Sequence, residues 1–292
     1  MLRRAIHDRR SIHAAGNSRA VGRNSLSALP TKGLVIIDYK ITGCIVTHNN
    51  SKSIDETVRT LLENTKDIDF TLYAVDNDST DGTPEHIEAH YPQVQVIYNK
   101  KNPGFGSGHN VVRDRLDSKY HCVINPDITI DRDVIRQMAE YMDEHPEIGL
   151  LSPAICFPDG RPQILGKRTP TLRYLAASRL RDGDEPGAVL REYAMLDCDL
   201  TKPQEIENAT GCFMMFRTDL FKEIGGFDER YFLYFEDCDI TRMVRTKAKV
   251  IYYPEAVVYH VWGRDSKKDL RLTLVQISSM VKFFAKWAFR KG

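Results

Sequence analysis

The sequence predicts an α/β protein with a mostly parallel, Rossmann-like central sheet and helices on both faces. Two observations carry this. From residue 40 onward, short β-rich runs alternate with longer stretches of helical spacing, the βαβαβαβ order that folds as a parallel sheet. Four of the runs end in clusters of Asn, Asp, His and Gly, as suits strands whose carboxyl ends open on one ligand crevice. At 292 residues, 42% of them apolar, the chain is long enough for one large domain or two small ones.

The elements follow in order. Residues 39–47 (YKITGCIVT) read as a strand that breaks into His48-Asn49-Asn50, and residues 53–63 follow with helical spacing at Ile54, Val58 and Leu61. Residues 70–76 (FTLYAVD) are a second strand ending in the acidic turn 77–82, and Pro84 suits the first turn of the next helix. Residues 93–98 are a third strand, 102–108 a glycine loop and 110–116 the helix after it. A fourth strand at 121–125 is closed by Pro126-Asp127, and 256–259 reads as a strand ending at His260.

The clusters suit particular chemistries. The loop 102–110 (NPGFGSGHN) spaces its glycines as GxGxG and follows the third strand, so a dinucleotide-binding fingerprint fits poorly; the glycines let backbone approach a ligand, and Asn102 and Asn110 offer amides. Asp76 ends a buried-looking strand, where a carboxylate needs a partner: the imide N–H of a uracil or thymine, or the following turn. Asp127 is a hard oxygen at a strand tip, suited to a divalent ion that bridges diphosphate oxygens. Glu236, Asp237 and Asp239 follow the aromatic run 231–235, where a carboxylate of raised pKa makes a general base and where acids also suit a helix N-terminus. His260 is placed to complete the coordination begun by Asp127.

Together these residues resemble glycosyltransferase family 2, inverting enzymes of GT-A fold. The matching segments are IVTHN (45–49), VDNDSTDGT (75–83), NPGFGSGHN (102–110), INPD (124–127), GCFMMFR (211–217), GGFDERYFLYFEDCDITRMVR (225–245) and YHVWGRDS (259–266), covering about 220 residues in order. The INPD form and the run before the acids are similar to bacterial rhamnosyltransferases that use dTDP-rhamnose to build cell-surface polysaccharides. The resemblance implies donor contacts from Thr47, Asn49 and Asp76 to base and ribose, and from Asn102, Gly104, Phe105 and Asn110 along nucleotide and sugar. It puts Asn125 and Asp127 where the family usually has DxD, with Asp127 and His260 as ligands of Mg2+ or Mn2+. Asp237 falls on the catalytic base, with Glu236 beside it. A UDP-hexose donor such as UDP-galactose or UDP-glucose fits the same residues, and so does a catalytically inactive sugar-nucleotide-binding subunit.

The acceptor implied is a lipid-linked or polysaccharide one. Residues 270–291 put Leu270, Leu274, Ile277, Met280, Val281, Phe284 and Trp287 on one helical side and Arg271, Lys282, Lys286 and Arg290 on the other. Such a helix lies in a membrane interface, or packs its apolar side on the catalytic domain or on a second copy in a homodimer. The expected organisation is a disordered basic extension over 1–38, a catalytic domain over 39–265 and a basic amphipathic helix over 266–292, in a cytoplasmic protein held at the inner face of the cell membrane. The net charge of +1 hides a distribution: 1–40 and 264–292 carry +6 each, and 41–263 holds 25 bases against 36 acids. Nucleic-acid binding through bulk charge is not expected. Six scattered cysteines without CxxC spacing read as reduced, buried thiols.

Overall fold

The structure, a computed structural model, describes residues 39–180, 185–261 and 269–288. The basic extension 1–38, the boundary at 265/266, the end of the YHVWGRDS segment and Arg290 lie outside the described residues.

The first half holds β1 (Ile41–Thr47), α1 (Ile54–Asn64), β2 (Phe70–Asn77), α2 (Thr83–His90), β3 (Gln95–Asn99), α3 (Phe105–Asn110), β4 (Tyr120–Ile124), the two-residue β5 (Ile128–Thr129) and α4 (Val134–Glu144). The second holds β6 (Ile148–Cys156), α5 (Leu172–Leu180), α6 (Ala188–Tyr193), β7 (Gln204–Glu205), β8 (Phe213–Arg217), α7 (Thr218–Glu223), α8 (Glu236–Arg245), β9 (Lys249–His260) and α9 (Leu270–Ala288). The sheet runs β3-β2-β1-β4-β8-β6-β9-β5, with β7 on β9.

Strands β3, β2, β1 and β4 are parallel, as the βαβ pattern requires. Every residue of β1 is buried, and its side chains alternate between two cores. Ile41 and Ile45 join Ile54, Val58 and Leu61 of α1 and Val134, Ile135 and Met138 of α4 on one face. Cys44 and Val46 join Phe221 of α7 and Ile240 and Val244 of α8 on the other. Buried on both faces, β1 lacks the alternation of apolar and exposed polar residues that marks a half-solvated strand.

The second half departs from the simple pattern. Strand β8 enters antiparallel between β4 and β6, and β9 is parallel to β6 but antiparallel to β5 and β7. A long excursion between β6 and β8 replaces the helical crossover that would have kept the direction. The glycine segment also differs from the expected loop and helix: α3 begins inside it at Phe105, and a 3-10 turn at Arg113–Arg115 takes the place of the helix expected at 110–116. Small residues allow this. A Cβ on Gly108 would sit 2.7 Å from Cγ1 of Val46, so only glycine lets α3 lie this close to β1.

Candidate active site

Two alignments of chain bring the chemistry together. In the parallel register Thr47 faces Asp76, which joins the ends of β1 and β2. In the antiparallel pairing of β5 with β9, Ile128 faces His260, which sets the imidazole beside Asp127, one residue before β5. A cleft of about 830 Å³ opens there and is lined by Phe105, Asn125, Asp127, Glu236, Asp237 and His260. Six of the twelve sequence-predicted site residues therefore share one cavity.

The other six sit at adjoining strand ends and hold one another. Asp76 is buried, and its carboxylate accepts from Thr47 Oγ1 at 2.8 Å, Ser79 N at 2.8 Å and Ser79 Oγ at 2.5 Å. A carboxylate has about four acceptor positions, so one remains for a ligand N–H. Asn49, at φ 58°, accepts from Thr80 N at 2.8 Å and ties the β1 loop to the β2 loop. Asn102 accepts from Gly104 N at 3.0 Å and braces the start of α3. Gly104 has φ 99°, and a Cβ there would lie 2.1 Å from the carbonyl oxygen of Phe232, so glycine is required. Asn110 is turned away from the cleft: its amide donates to Phe227 O at 2.8 Å and accepts from Phe227 N at 2.9 Å, which makes it a clamp on the segment before the acids.

The three acids separate in role. Asp239, 1% exposed, accepts from Lys286 Nζ at 2.6 Å and Trp287 Nε1 at 2.8 Å, which anchors α9 on α8. Asp237 faces the cleft and accepts from Gly211 N at 3.2 Å and Cys238 N at 2.8 Å. Glu236 is buried, and its Oε2 has no hydrogen-bond partner among the described residues. Burial raises both pKa values above the ordinary carboxylate range, Glu236 furthest because the Asp237 charge adds to its burial; the two N–H donors hold Asp237 back. Just before them, Tyr234 and Phe235 both take φ 68°. Consecutive left-handed non-glycine residues cost roughly 1–3 kcal/mol each and persist where surrounding contacts fix them. Here Phe105 N donates to Phe232 O at 2.9 Å, Ser279 Oγ donates to Leu233 O at 2.8 Å, and Phe235 packs on Phe283.

The Asp127–His260 pair fits a cation. His260 Nε2 lies 3.4 Å from Oδ1 of Asp127, an oxygen that is buried without a hydrogen-bond partner. Gln163 was not expected from the sequence, where it stands in an apparent loop without a motif. Its amide donates to His260 O at 2.7 Å, which leaves Oε1 to accept from His260 Nδ1 at 3.2 Å. That tautomer leaves the Nε2 lone pair facing the carboxylate, an arrangement that a divalent ion between them satisfies. No group of three or more His, Cys, Asp or Glu side chains gathers around an ion site among the described residues. Asp127 and His260 would hold such an ion, leaving the rest of its coordination to water and phosphate oxygens, as Mg2+ prefers.

The helix α9 corrects one expectation. Its packed side is Ser279, Phe283 and Trp287, while Leu270, Leu274, Ile277 and Val281 are exposed. The basic stripe is not free: Lys286 is held between Asp228 and Asp239, and Lys282 donates to Arg230 O at 2.6 Å. Among the described residues no helix is long and apolar enough to cross a membrane.

A curled α/β sheet with a nucleotide-sized cleft at the strand ends, an acid pair on one wall and an Asp–His pair on another define a GT-A glycosyltransferase. The sequence model of glycosyl transferase family 2 matches residues 43–225, and the chain belongs to that family. It is 28% identical over 220 residues to the N-acetylglucosaminyl-diphospho-decaprenol L-rhamnosyltransferase of Mycobacterium tuberculosis, covering 68% of this chain and 69% of the relative. Among solved structures, GalNAc-T7 with UDP, GalNAc and Mn2+ superposes with TM-score 0.58 at 14% identity, over 77% of this chain and 43% of that one. The mannosyltransferase PcManGT of Pyrobaculum calidifontis with GDP-Man and Mn2+ gives TM-score 0.55 at 14% identity, over 87% and 76%.

Proposed function

We propose that this glycosyltransferase moves L-rhamnose from dTDP-L-rhamnose to a lipid-linked or polysaccharide acceptor in bacterial cell-wall, capsule or O-antigen synthesis, with inversion. The observation that carries the reading is the acid pair, buried Glu236 and half-buried Asp237, with no cation paired to either among the described residues, on the cleft that also holds Asp127 and His260. A divalent ion on Asp127 and His260 would neutralise charge on the departing diphosphate. The chain's own residues then have separate tasks. Asp76, braced by Thr47 and Ser79, presents its remaining acceptor position to the imide N–H of the base. Asn49, Asn102 and Gly104 shape the loops around the nucleotide, and Asn125 lines the cleft beside the metal pair. Asp237, oriented by the N–H groups of Gly211 and Cys238, takes the proton from the acceptor hydroxyl as it attacks the sugar carbon from the face opposite the leaving group. Its raised pKa makes it a stronger base than an ordinary carboxylate. Glu236 beside it, its charged form disfavoured by burial and by the Asp237 charge, limits the negative charge on that wall.

The acceptor side suits a lipid. Leu172, Leu175, Leu233 and Met280 line the same cleft, and the mycobacterial relative is named for a decaprenol-linked acceptor. The exposed stripe of α9 fits a protein held at the inner face of the membrane.

The test is a donor screen with purified protein, Mg2+ or Mn2+, and a synthetic lipid diphosphate sugar, with the product analysed for linkage and anomeric configuration. Turnover of dTDP-rhamnose with inverted configuration is expected; turnover of UDP-glucose or UDP-galactose alone would assign the donor to UDP-hexoses. In the same assay Asp237→Asn should lower kcat by about 10²–10⁴-fold, the usual contribution of a general base, with nucleotide binding unchanged by calorimetry. A rate within a few-fold of the parent would remove Asp237 from the base role.

A further inference from the structure

A second cavity, about 310 Å³, shares Ile164, Leu165, Gly166, Ala194, Asn208 and Thr210 with the catalytic cleft. Its remaining walls are mainly apolar, with Pro153, Ile155, Leu196, Leu200 and Ile206, and the exposed Pro162 and Thr201 stand at its rim. One charged group lines it. Lys167 is fixed by its backbone, whose N–H donates to Tyr193 O at 2.9 Å and whose carbonyl accepts from Glu207 N at 2.8 Å and Asn208 N at 3.0 Å.

The half-buried ammonium of Lys167 makes no ion pair or hydrogen bond among the described residues; its partner is the ring of Tyr252, 4.7 Å from Nζ to the centroid. The adjacent Arg168 differs, being held by Asp197 at 2.9 Å and Glu192 O at 2.8 Å. Desolvation pulls the Lys167 pKa down to about 8. A second polar group beside it is also unmatched. Asn208, 6% exposed, donates to Gly166 O at 3.1 Å, while its Oδ1 is buried with no partner. A cation without an anion and an acceptor without a donor beside mainly apolar walls are costly.

We propose that this chamber is a binding site for an amphiphilic phosphate ester, with the phosphate on Lys167 and a short hydrocarbon group against the apolar walls. The volume lies at the small end of ligand cavities, about 300–1,000 Å³, which matches a short-chain ester rather than a nucleotide sugar. The site does not depend on the donor reading, because neither the acids nor the Asp127–His260 pair lines it.

The test uses calorimetry on the full chain without sugar nucleotide, with geranyl phosphate, geraniol and inorganic phosphate as probes. Geranyl phosphate is expected to bind, inorganic phosphate more weakly and geraniol weakest. Binding should weaken as pH rises through about 8, as the ammonium loses its proton. Lys167→Gln should cost at least tenfold in affinity and Lys167→Arg should recover most of it, with far-ultraviolet circular dichroism checking that each folds. Mass spectrometry after brief acetylation localises the site: geranyl phosphate should protect Lys167. Geraniol binding as tightly as the phosphate, unchanged affinity in Lys167→Gln, or acetylation of Lys167 unaffected by saturating ligand would each overturn the proposal, and inorganic phosphate binding equally would remove the hydrocarbon part.

Discussion

Glu236 and Asp237 are adjacent in sequence but differently supported, and the difference predicts stability as well as catalysis. Asp237 receives two backbone N–H groups, whereas Glu236 keeps one oxygen unpartnered in a buried position. A carboxylic acid whose folded pKa is raised favours the native state while neutral. That stability is fully present below its unfolded value, about 4.3, and is lost as pH rises through the folded value. Glu236→Gln removes the titration, so its melting temperature should gain on the parent between pH 5 and pH 8; a constant gap across that range would show that Glu236 is not neutral in the fold. Gln163 acts on the opposite wall by fixing the His260 tautomer. Gln163→Leu should weaken Mn2+ binding about 10–100-fold, as loss of a partner behind a metal ligand typically does, read by Mn2+ titration in the presence of dTDP. Unchanged Mn2+ affinity would assign Gln163 to packing alone. Asp127, His260 and Asp237 were legible because carboxylates and imidazoles at the ends of apolar runs are costly without a task. Gln163 was not, since its meaning depends on a partner 97 residues away. Asn110 carried a family match, yet both functions of its amide close on Phe227, a contact across 117 residues that no local pattern shows.

At the scale of elements, the parallel half was readable because β1 is followed by a helix with a clear apolar period at Ile54, Val58 and Leu61, and β1, β2 and β4 fall within two residues of expectation. The antiparallel insertion of β8 was not, because strand direction depends on where the chain has travelled between β6 and β8. The helix α3 was hidden for a different reason: Gly106, Ser107 and Gly108 have poor intrinsic helix propensity, and close packing against β1 and β2 overrides it. For α9 the 3.6-residue period gave the helix, but not which face is covered. Val281 was grouped with the apolar side and is exposed, while Lys286 was grouped with the basic side and is turned inward onto Asp239. That ion pair, with Trp287, holds α9 over the acid turn. Lys286→Met should therefore destabilise by about 3–5 kcal/mol, because it leaves Asp239 buried with its charge unbalanced. Chemical denaturation with an unchanged m-value would check this, and a loss below about 1 kcal/mol would mean that Trp287 and Tyr231 suffice for Asp239.

For the whole molecule, the distribution of charge and of uncovered apolar surface decides how it would meet the membrane-borne acceptor proposed above. The body between residues 41 and 263 is acidic, which opposes an anionic surface, and among the described residues of α9 the basic side is partly turned inward. Apolar surface remains. Leu270, Leu274 and Val281 on α9 and Leu172 and Leu180 on α5 are all more than half exposed, and Ile277 carries the stripe on into the cleft. Clustered aliphatic side chains at the mouth of an active site mark an interaction surface rather than ordinary solvent exposure. Apolar burial is insensitive to salt, whereas attraction between exposed charges is screened within about 8 Å at physiological ionic strength. Binding to vesicles of mixed phosphatidylglycerol and phosphatidylethanolamine should therefore survive 0.5 M NaCl, a condition in the sedimentation assay that strips proteins held by charge alone. The triple variant Leu270→Glu, Leu274→Glu, Val281→Glu should lose the vesicles. It should keep its melting temperature, because the three positions are exposed and substitutions at such surfaces usually stay within about 0.5 kcal/mol each. It should also keep hydrolysis or transfer with a soluble acceptor analogue, since none of the three lines the cleft. Release of the parent protein by salt would assign membrane contact to charge instead, and retention of the triple variant at high salt would place the contact on another face of the molecule.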